Sequence, residues 1–182
     1  AGEKKREPAA EIPFAGKLEN PRYGLVFDME RGGLLSLFDR DLGLDLLDRG
    51  SEWLAGQVVY ERLSDRSQIE RFRLEKAWYA AMSDIQAGPV EDGPVWRSVT
   101  LTGRLPECAD GRISCEVRLY HGTKRVEWVY SMRKKAVMDP EAVYVAFPFA
   151  IDGWETASED QGAPVVPGRD QLERTSSDWN TI

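Results

Sequence analysis

Short runs in which apolar and polar residues alternate recur along most of this chain. In residues 23–28, Tyr23, Leu25 and Phe27 fall on alternate positions. A period of two places these side chains on one face of a β-strand, with the intervening residues on the other. The same pattern, or a short apolar run, predicts further strands over residues 34–38, 57–63, 78–86, 95–105, 112–120, 125–132 and 143–149.

Turn-forming residues separate these runs. Clusters rich in Gly, Pro and Asp mark turns, and they predict chain reversals at 31–33, 39–43, 88–94 and 121–124. Residues 64–76 are charged, with Ile69 and Phe72 three positions apart, and they fit either a short helix or an irregular excursion. Many short strands with almost no helix predict an all-β fold, an antiparallel β-sandwich.

The two ends of the chain differ from its middle. Residues 1–16 are charged and aperiodic, which predicts a linker or disordered arm, and residues 17–182 form the predicted β-sandwich domain. Residues 151–182 carry little periodicity. The last four, from Trp179 to Ile182, are typical of a strand that is beginning, and therefore indicate a domain truncated at its C-terminal end.

Composition excludes several classes of partner. The 182 residues include 24 basic and 31 acidic side chains, a formal net charge of −7, which disfavours binding to nucleic acid. Since no apolar run approaches the roughly 20 residues of a membrane span, no membrane partner is expected. No positively charged start leads into an apolar segment, which favours a cytoplasmic location, although the start of a fragment would say nothing about its parent.

The two cysteines flank a turn signal. Cys108 and Cys115 lie on either side of Asp110-Gly111, a pair that favours a hairpin. Reduced thiols and a disulfide across the hairpin are both compatible with this spacing. Two sulfurs and the chain's single histidine do not make a structural zinc site.

An ordered series of local patterns carries a family resemblance over residues 18–182. The patterns are Leu18-Glu19-Asn20-Pro21-Arg22-Tyr23, the glycine turn and apolar strand of 33–39, the hairpin of 117–128, the run Pro140-Glu141-Ala142-Val143-Tyr144-Val145-Ala146-Phe147-Pro148-Phe149, then Asp170-Gln171-Leu172 and Asp178-Trp179. In this order they resemble the C-terminal β-domain of bacterial glycoside hydrolase family 38 enzymes, the α-mannosidases.

The resemblance implies a β-domain similar to the galactose-mutarotase supersandwich. Members of the family are retaining α-mannosidases, in which one carboxylate is the nucleophile and a second carboxyl group is the acid and base. Their zinc, held by His and Asp side chains, lies in a catalytic domain upstream of the matched region. The resemblance therefore implies no catalytic residue and no metal ligand in this chain. The expected partners are the rest of the parent chain and a carbohydrate, an α-mannoside or related glycoside.

The late loops hold the candidate carbohydrate contacts. Aromatic faces stack on the C–H faces of sugars, and binding residues concentrate on loops held by a rigid scaffold. The candidates are Trp154, Arg169, Asp170, Gln171, Asp178 and Trp179. A solvated loop surface is the alternative interpretation of the same charges. Trp78, Trp96 and Trp128 lie in alternating strands and are predicted to be core residues.

Two other functions remain open at this point. A free-standing carbohydrate-binding module would bind sugar saturably without cleaving it. A mutarotase-like sugar epimerase would need a histidine and a glutamate as acid and base. His121 stands in a predicted turn without a second histidine, which favours an exposed turn residue and makes the epimerase the weaker alternative.

Overall fold

The computed structural model describes residues 11–70, 77–153, 155–160, 162–166 and 169–170. One short helix, α1 (Ser67–Glu70), lies among fourteen strands in this part of the chain. The strands are β1 (Glu11–Ile12), β2 (Lys17–Glu19), β3 (Tyr23–Asp28), β4 (Gly33–Asp39), β5 (Leu44–Asp45), β6 (Val58–Leu63), β7 (Ala77–Ala81), β8 (Ser83–Asp92), β9 (Trp96–Arg104), β10 (Cys108–Tyr120), β11 (Val126–Lys134), β12 (Glu141–Val145), β13 (Ser158–Asp160) and β14 (Ala163–Val165).

The chain divides into two units, residues 1–150 and residues 151–182. The described strands of the first unit form three antiparallel sheets, in the orders β1-β8-β9-β10-β11, β2-β3-β4-β5 and β12-β6-β7. In the second unit, β13 pairs with β14 as an antiparallel hairpin. The predicted all-β, antiparallel sandwich is confirmed.

Strand alternation builds the core of the first unit. Along β10 the residues Ile113, Cys115, Val117 and Leu119 are buried, while their neighbours are half-buried or exposed. Their partners on β9 are Gly103, Leu101 and Val99, which are also buried, and Arg97, which is half-buried. Leucine and phenylalanine side chains of β3 and β4, together with Tyr60 of β6, belong to the same apolar cluster. Burial of this shared face is the main force holding the sheets together.

The predicted strand over 78–86 is wrong, because the chain changes sheets there. β7 ends at Ala81 in the three-stranded sheet, and β8 begins at Ser83 in the five-stranded one. Met82 between them is buried, 3% exposed. Such corners let one continuous segment supply two sheets of a sandwich.

The predicted turn at Gly88-Pro89 is also wrong. Both residues lie inside β8, where the register with β9 shifts between Ala87 and Val90. Proline lacks an N–H to donate, and a β-bulge is one of the few places in a sheet that tolerates it. The reversal occurs later, where Gly93 N donates to Trp96 O at 3.0 Å.

In the structure, the strand predicted over 143–149 is shorter and starts earlier, at Glu141. β12 ends at Val145, after which Ala146 N donates to Gln57 O at 3.0 Å, and Phe149 makes an isolated bridge to Leu47. Pro148 within this stretch cannot continue a ladder. The segment after β12 thus connects the three-stranded sheet to the region between β5 and β6.

At the beginning of the described chain, β1 pairs with β8 and Phe14 packs edge-on against Phe27. These contacts lie within the predicted 1–16 arm. Residues 1–10 are outside the described residues, so the division at residue 16 stays a prediction. The 64–76 segment contains α1, and residues 71–76 are outside the described residues.

Both cysteines are free and buried within the described structure. The ladder between β9 and β10 closes at Arg104 and Arg112, and Asp110-Gly111 lies inside β10, where the register with β11 shifts between Cys108 and Ile113. Burial raises the pKa of the Cys115 thiol to about 12, which keeps it protonated at neutral pH.

Candidate functional site

The two late-loop candidates that the structure describes neutralise one another. Arg169 Nε donates to Asp170 Oδ1 at 3.0 Å, and the same guanidinium pairs with Glu155. Asp170 Oδ2 also accepts the Val166 amide at 2.9 Å. The Arg169 guanidinium, aided by that amide, lowers the pKa of Asp170. Arg169 and Asp170 are exposed and form a local ion cluster, and their contact with sugar stays a prediction. Trp154, Gln171, Asp178 and Trp179 lie outside the described residues.

A groove in the first unit brings together residues that are far apart in sequence. Its volume is about 440 Å³, within the range of sites that bind small molecules. We call it the Trp53 groove, after the indole in its wall. Its lining includes Arg31, Leu35, Asp48, Arg49, Ser51 and Trp53.

A buried glutamine joins two walls of the Trp53 groove. Gln57 is 3% exposed, and its side chain accepts the Leu54 amide at 2.9 Å while donating to Arg31 O at 3.0 Å. Leu34 N also donates to Ala55 O at 2.8 Å. Because a buried amide that loses a partner is costly, these bonds hold the segments before β4 and before β6 in one arrangement.

The opposite wall is held by Asp45 and Asp48. Asp45 accepts the amides of Leu37 and Leu47 and a hydrogen bond from Arg49 at 2.9 Å. Burial by itself acts to raise the pKa of Asp45, but hydrogen bonds from Arg49 and neighbouring groups lower it overall, so the carboxylate stays charged. Asp48 is exposed, and its Oδ1 accepts the Gly50 amide at 2.8 Å. The groove therefore presents the Arg49 guanidinium and the Asp48 carboxylate. Each is held in place by a hydrogen bond, to Asp45 and from the Gly50 amide respectively.

Exposed aromatic residues continue from the groove. Trp53 contacts Tyr79 with ring centroids 6.5 Å apart. Glu61 pairs across strands with both Tyr79 and Ala142, and Val59 pairs with both Ala81 and Tyr144. Directly paired residues share a face, so Tyr79, Glu61 and Tyr144 lie on the same side of the three-stranded sheet. We call Trp53, Tyr79 and Tyr144 the aromatic strip.

The strip lies on the side of the sheet opposite the core. Tyr79 and Tyr144 are 52% and 50% exposed, whereas Tyr60, on the other face, is fully buried. Partial burial and a hydrogen bond with Glu61 raise the pKa of Tyr144, so its hydroxyl stays protonated. The strip thus combines apolar rings with hydroxyl and carboxylate groups.

Sequence reasoning missed this strip because it weighed the tryptophans, and not the strand tyrosines, as carbohydrate contacts, and one tryptophan prediction was also wrong. Trp78 is 54% exposed, so its predicted core position is wrong; its ring touches Tyr60 from the edge, at 5.7 Å. Trp128 is partly buried against the core, as predicted. Adjacent aromatic residues at 78–79 were a usable signal, since neighbours on a strand face opposite ways and one of the two must point outward.

A second depression lies over the bulges of β8 and is more polar. Its volume is about 480 Å³ and it is lined by Asp84, Gln86, Thr102, Arg104 and Arg112 among others. Arg104 and Asp84 are exposed, and Arg104 Nε lies 3.5 Å from Asp84 Oδ2. Such an exposed pair is weak, and no aromatic side chain lines this depression. Its composition is that of an ordinary solvated surface.

His121 is half-buried, where a fully exposed turn residue was predicted. Its Nε2 lies 3.1 Å from Gly93 O and 3.2 Å from Asp92 Oδ1. Asp92 is also paired with Arg97, which holds the pKa of that carboxyl below its usual value. The histidine therefore caps the β8–β9 turn, and its polar partners are structural.

Two other kinds of site are absent from the described residues. Over the described ranges, no group of three or more His, Cys, Asp or Glu side chains is placed to hold a metal ion. No helix in those ranges is long and apolar enough to cross a membrane.

The fold and groove define an antiparallel β-sandwich domain with an exposed aromatic and polar surface. A family model described as the glycosyl hydrolases family 38 C-terminal domain matches residues 18–181. The chain belongs to this family, and it is a domain of a glycoside hydrolase family 38 protein. Family membership implies a glycoside substrate and a parent chain. No curated protein matches the chain.

Proposed function

We propose that this chain is the non-catalytic β-domain of a retaining, zinc-dependent α-mannosidase-type hydrolase. The family match over residues 18–181 carries the proposal. In this assignment the domain supports the catalytic domain of the parent and contributes to carbohydrate binding, and the isolated chain is inactive.

The zinc belongs to the parent in this proposal. A zinc site needs three or four His, Cys, Asp or Glu ligands converging on one point, and the described residues offer no such group. The many carboxylates of the first unit serve other partners: Asp39 binds Lys124, Glu116 binds Arg118, and Glu141 binds Lys134. No chemical step is therefore assigned to residues of this chain.

The test compares the isolated chain with the longer protein that contains it. We expect the longer protein to hydrolyse an aryl α-mannoside, to lose that activity on treatment with a chelator, and to regain it on addition of zinc. The isolated chain should release no phenol from the aryl glycoside under any of these conditions. An aryl α-glucoside assayed in parallel is the specificity control.

Two results would contradict the proposal at different levels. Turnover of the α-mannoside by the isolated chain, at a rate unaffected by chelators, would refute the non-catalytic role. Cleavage of only the α-glucoside by the longer protein would refute the mannosidase assignment while leaving a glycoside hydrolase.

The Trp53 groove supports a second candidate, a free-standing carbohydrate-binding module. This function predicts saturable sugar binding by a protein that has no catalytic domain attached. Sequencing the reading frame on both sides of residues 1–182 separates the two candidates. Upstream zinc ligands and a nucleophile carboxylate would support the hydrolase, and a start and stop immediately flanking the chain would support the module.

A further inference from the structure

The Trp53 groove and the aromatic strip form one continuous surface. Trp53 belongs to both, since it lines the groove and contacts Tyr79 at 6.5 Å between ring centroids. From Tyr79 the surface continues across β6 to Tyr144 on β12, by way of Glu61, which pairs with Tyr79 and hydrogen-bonds Tyr144. A ligand longer than one ring could therefore lie in the groove and along the strip together.

The chemistry of this surface alternates between flat apolar rings and hydrogen-bonding groups. Aromatic faces carry partial negative charge and attract the weakly positive C–H groups of an apolar ring face. Arg31, Asp48 and Ser51 in the groove, and Glu61 on the strip, provide donors and acceptors. A pyranose ring has this same combination, with C–H groups on its faces and hydroxyl groups at its edges.

We propose that the Trp53 groove and the aromatic strip bind an oligosaccharide, with one sugar ring in the groove and the next rings stacked along Tyr79 and Tyr144. The inference deepens the proposed function, because it rests on a glycoside being the substrate of the parent. The site lies in the first unit, apart in sequence from the late-loop residues 154–179.

The surface is fixed before ligand arrives, which favours a binding role. The Gln57 side chain links the walls of the groove through two hydrogen bonds, and Asp48 N donates to Pro148 O at 2.9 Å. Strands β7 and β12, which carry Tyr79 and Tyr144, lie on either side of β6 in one hydrogen-bonded sheet. A preformed site avoids the entropic cost of ordering loops on binding.

An uncharged ligand fits the charges better than an ionic one. The groove contains Arg31 and Arg49 together with Asp48, and Arg49 is already paired with Asp45 at 2.9 Å. The strip adds the carboxylate of Glu61. Neither an anion nor a cation would find a uniform field here, whereas sugar hydroxyls can donate to the carboxylates and accept from the guanidinium.

The experiment is a ligand-observed NMR titration of the full chain with three probes: an α-linked mannotriose, maltotriose and cellotriose. We expect saturable binding of the mannotriose. Trp53→Ala and Tyr79→Ala should each weaken it about tenfold or more, since central aromatic contacts dominate such sites. Trp78→Ala is the matched control, because Trp78 is as exposed as Tyr79 but faces the other side of β7.

The control should change the affinity by less than about twofold, and circular dichroism with thermal unfolding should show that all three variants are folded. The inference is overturned if none of the three probes binds at up to ~10 mM, a concentration that detects even weak sites. It is equally overturned if binding persists unchanged in Trp53→Ala and Tyr79→Ala, or if Trp78→Ala weakens it as much as they do.

Failure here is distinguishable from failure of the proposed function. Hydrolysis of the aryl α-mannoside is measured on the unsubstituted longer protein and trisaccharide binding on the full chain and its variants, so the two results are independent of each other. Hydrolysis without trisaccharide binding would overturn only the oligosaccharide surface. Trisaccharide binding without chelator-sensitive hydrolysis would overturn only the mannosidase assignment.

Discussion

Tyr60 shows how a single polar atom is accommodated in this core. The residue is fully buried, and its hydroxyl donates to Glu141 Oε2 at 2.7 Å. Lys134 Nζ lies 2.7 Å from both oxygens of the same carboxylate. The phenol, carboxylate and ammonium therefore satisfy one another, which a low-dielectric interior requires.

Replacing Tyr60 by phenylalanine removes one of these partners. We expect Tyr60→Phe to lower the free energy of unfolding by about 1.5–3 kcal/mol at pH 7, the usual effect of losing one hydrogen bond to a charged group. Urea denaturation measures the change. Tyr79→Phe, on the exposed face, is the control and should leave the free energy of unfolding nearly unchanged.

The same substitution predicts a dependence on alkaline pH. Burial, together with the hydrogen bond to Glu141, raises the pKa of Tyr60 from 10.0 to about 12. Because the folded pKa is the higher one, this stabilisation is complete below pH 10 and is lost as the pH rises through about 12. The stability difference between the wild type and Tyr60→Phe should therefore shrink over that window. A constant difference would show that Tyr60 ionises equally in both states.

At the scale of secondary-structure elements, a glycine lets the segment before one strand pack closely against the side chains of another strand. Gly56 precedes β6 with a φ of 76°, a conformation that side chains rarely adopt. A Cβ there would overlap the indole of Trp128. The carbonyl of Gly56 also accepts the Tyr130 hydroxyl at 2.7 Å. The segment before β6 can lie this close to Trp128 of β11 only because Gly56 has no side chain.

We therefore expect Gly56→Ala to destabilise the fold by about 2–4 kcal/mol, the sum of a left-handed conformation and an overpacked contact. Gly43→Ala is the matched control, because Gly43 has a φ of 70° but has open space around the added Cβ. It should cost about 1–2 kcal/mol, the conformational part alone. Thermal or urea unfolding of both variants makes the comparison, and equal losses would show that the Trp128 contact contributes nothing.

At the scale of the whole first unit, an ion cluster links two sheets. Lys124, in the connection between β10 and β11, binds both oxygens of Asp39 at 2.9 Å. Asp39 ends β4 of the four-stranded sheet and is 2% exposed. Asp41 joins the cluster at 3.0 Å from Lys124. The hydrogen bond from Lys124, together with the amides of Asp41 and Leu42, lowers the pKa of Asp39 despite its burial.

The pKa of Asp39 is lower in the folded chain than its unfolded value of 3.8. Its charged carboxylate therefore stabilises the fold above pH 3.8, and this stabilisation is lost as the pH falls through the pKa of the folded state. We expect Lys124→Met to lower the melting temperature at pH 7 and to flatten the loss of stability between about pH 5 and pH 2. Lys17→Met, at an exposed position of β2, is the control and should change neither. An unchanged acid profile in Lys124→Met would contradict the link between the two sheets.

The sequence by itself determined the all-β class, the inward faces of several strands and the family. Alternation in β3, β10 and β11 predicted which residues pack inward, because a one-residue shift would expose the whole apolar set. Val126, Trp128 and Tyr130 fall on alternate positions of β11, and all three pack against the core. The pattern is local, so it can be read without knowing which strands are neighbours.

Only the tertiary structure decided which strands and loop segments are neighbours. Nothing local indicates that the chain changes sheets at Met82, or that Gly88-Pro89 bulges where a turn was predicted, because both depend on where β9 supplies partners. The Trp53 groove likewise needs Arg31, Asp48 and Trp53 to meet through the Gln57 hydrogen bonds and the bridge between Leu34 and Ala55. Trp78 and Tyr79 alternate equally well in either orientation, and it is packing against Tyr60 and Trp53 that assigns each ring its side of the sheet.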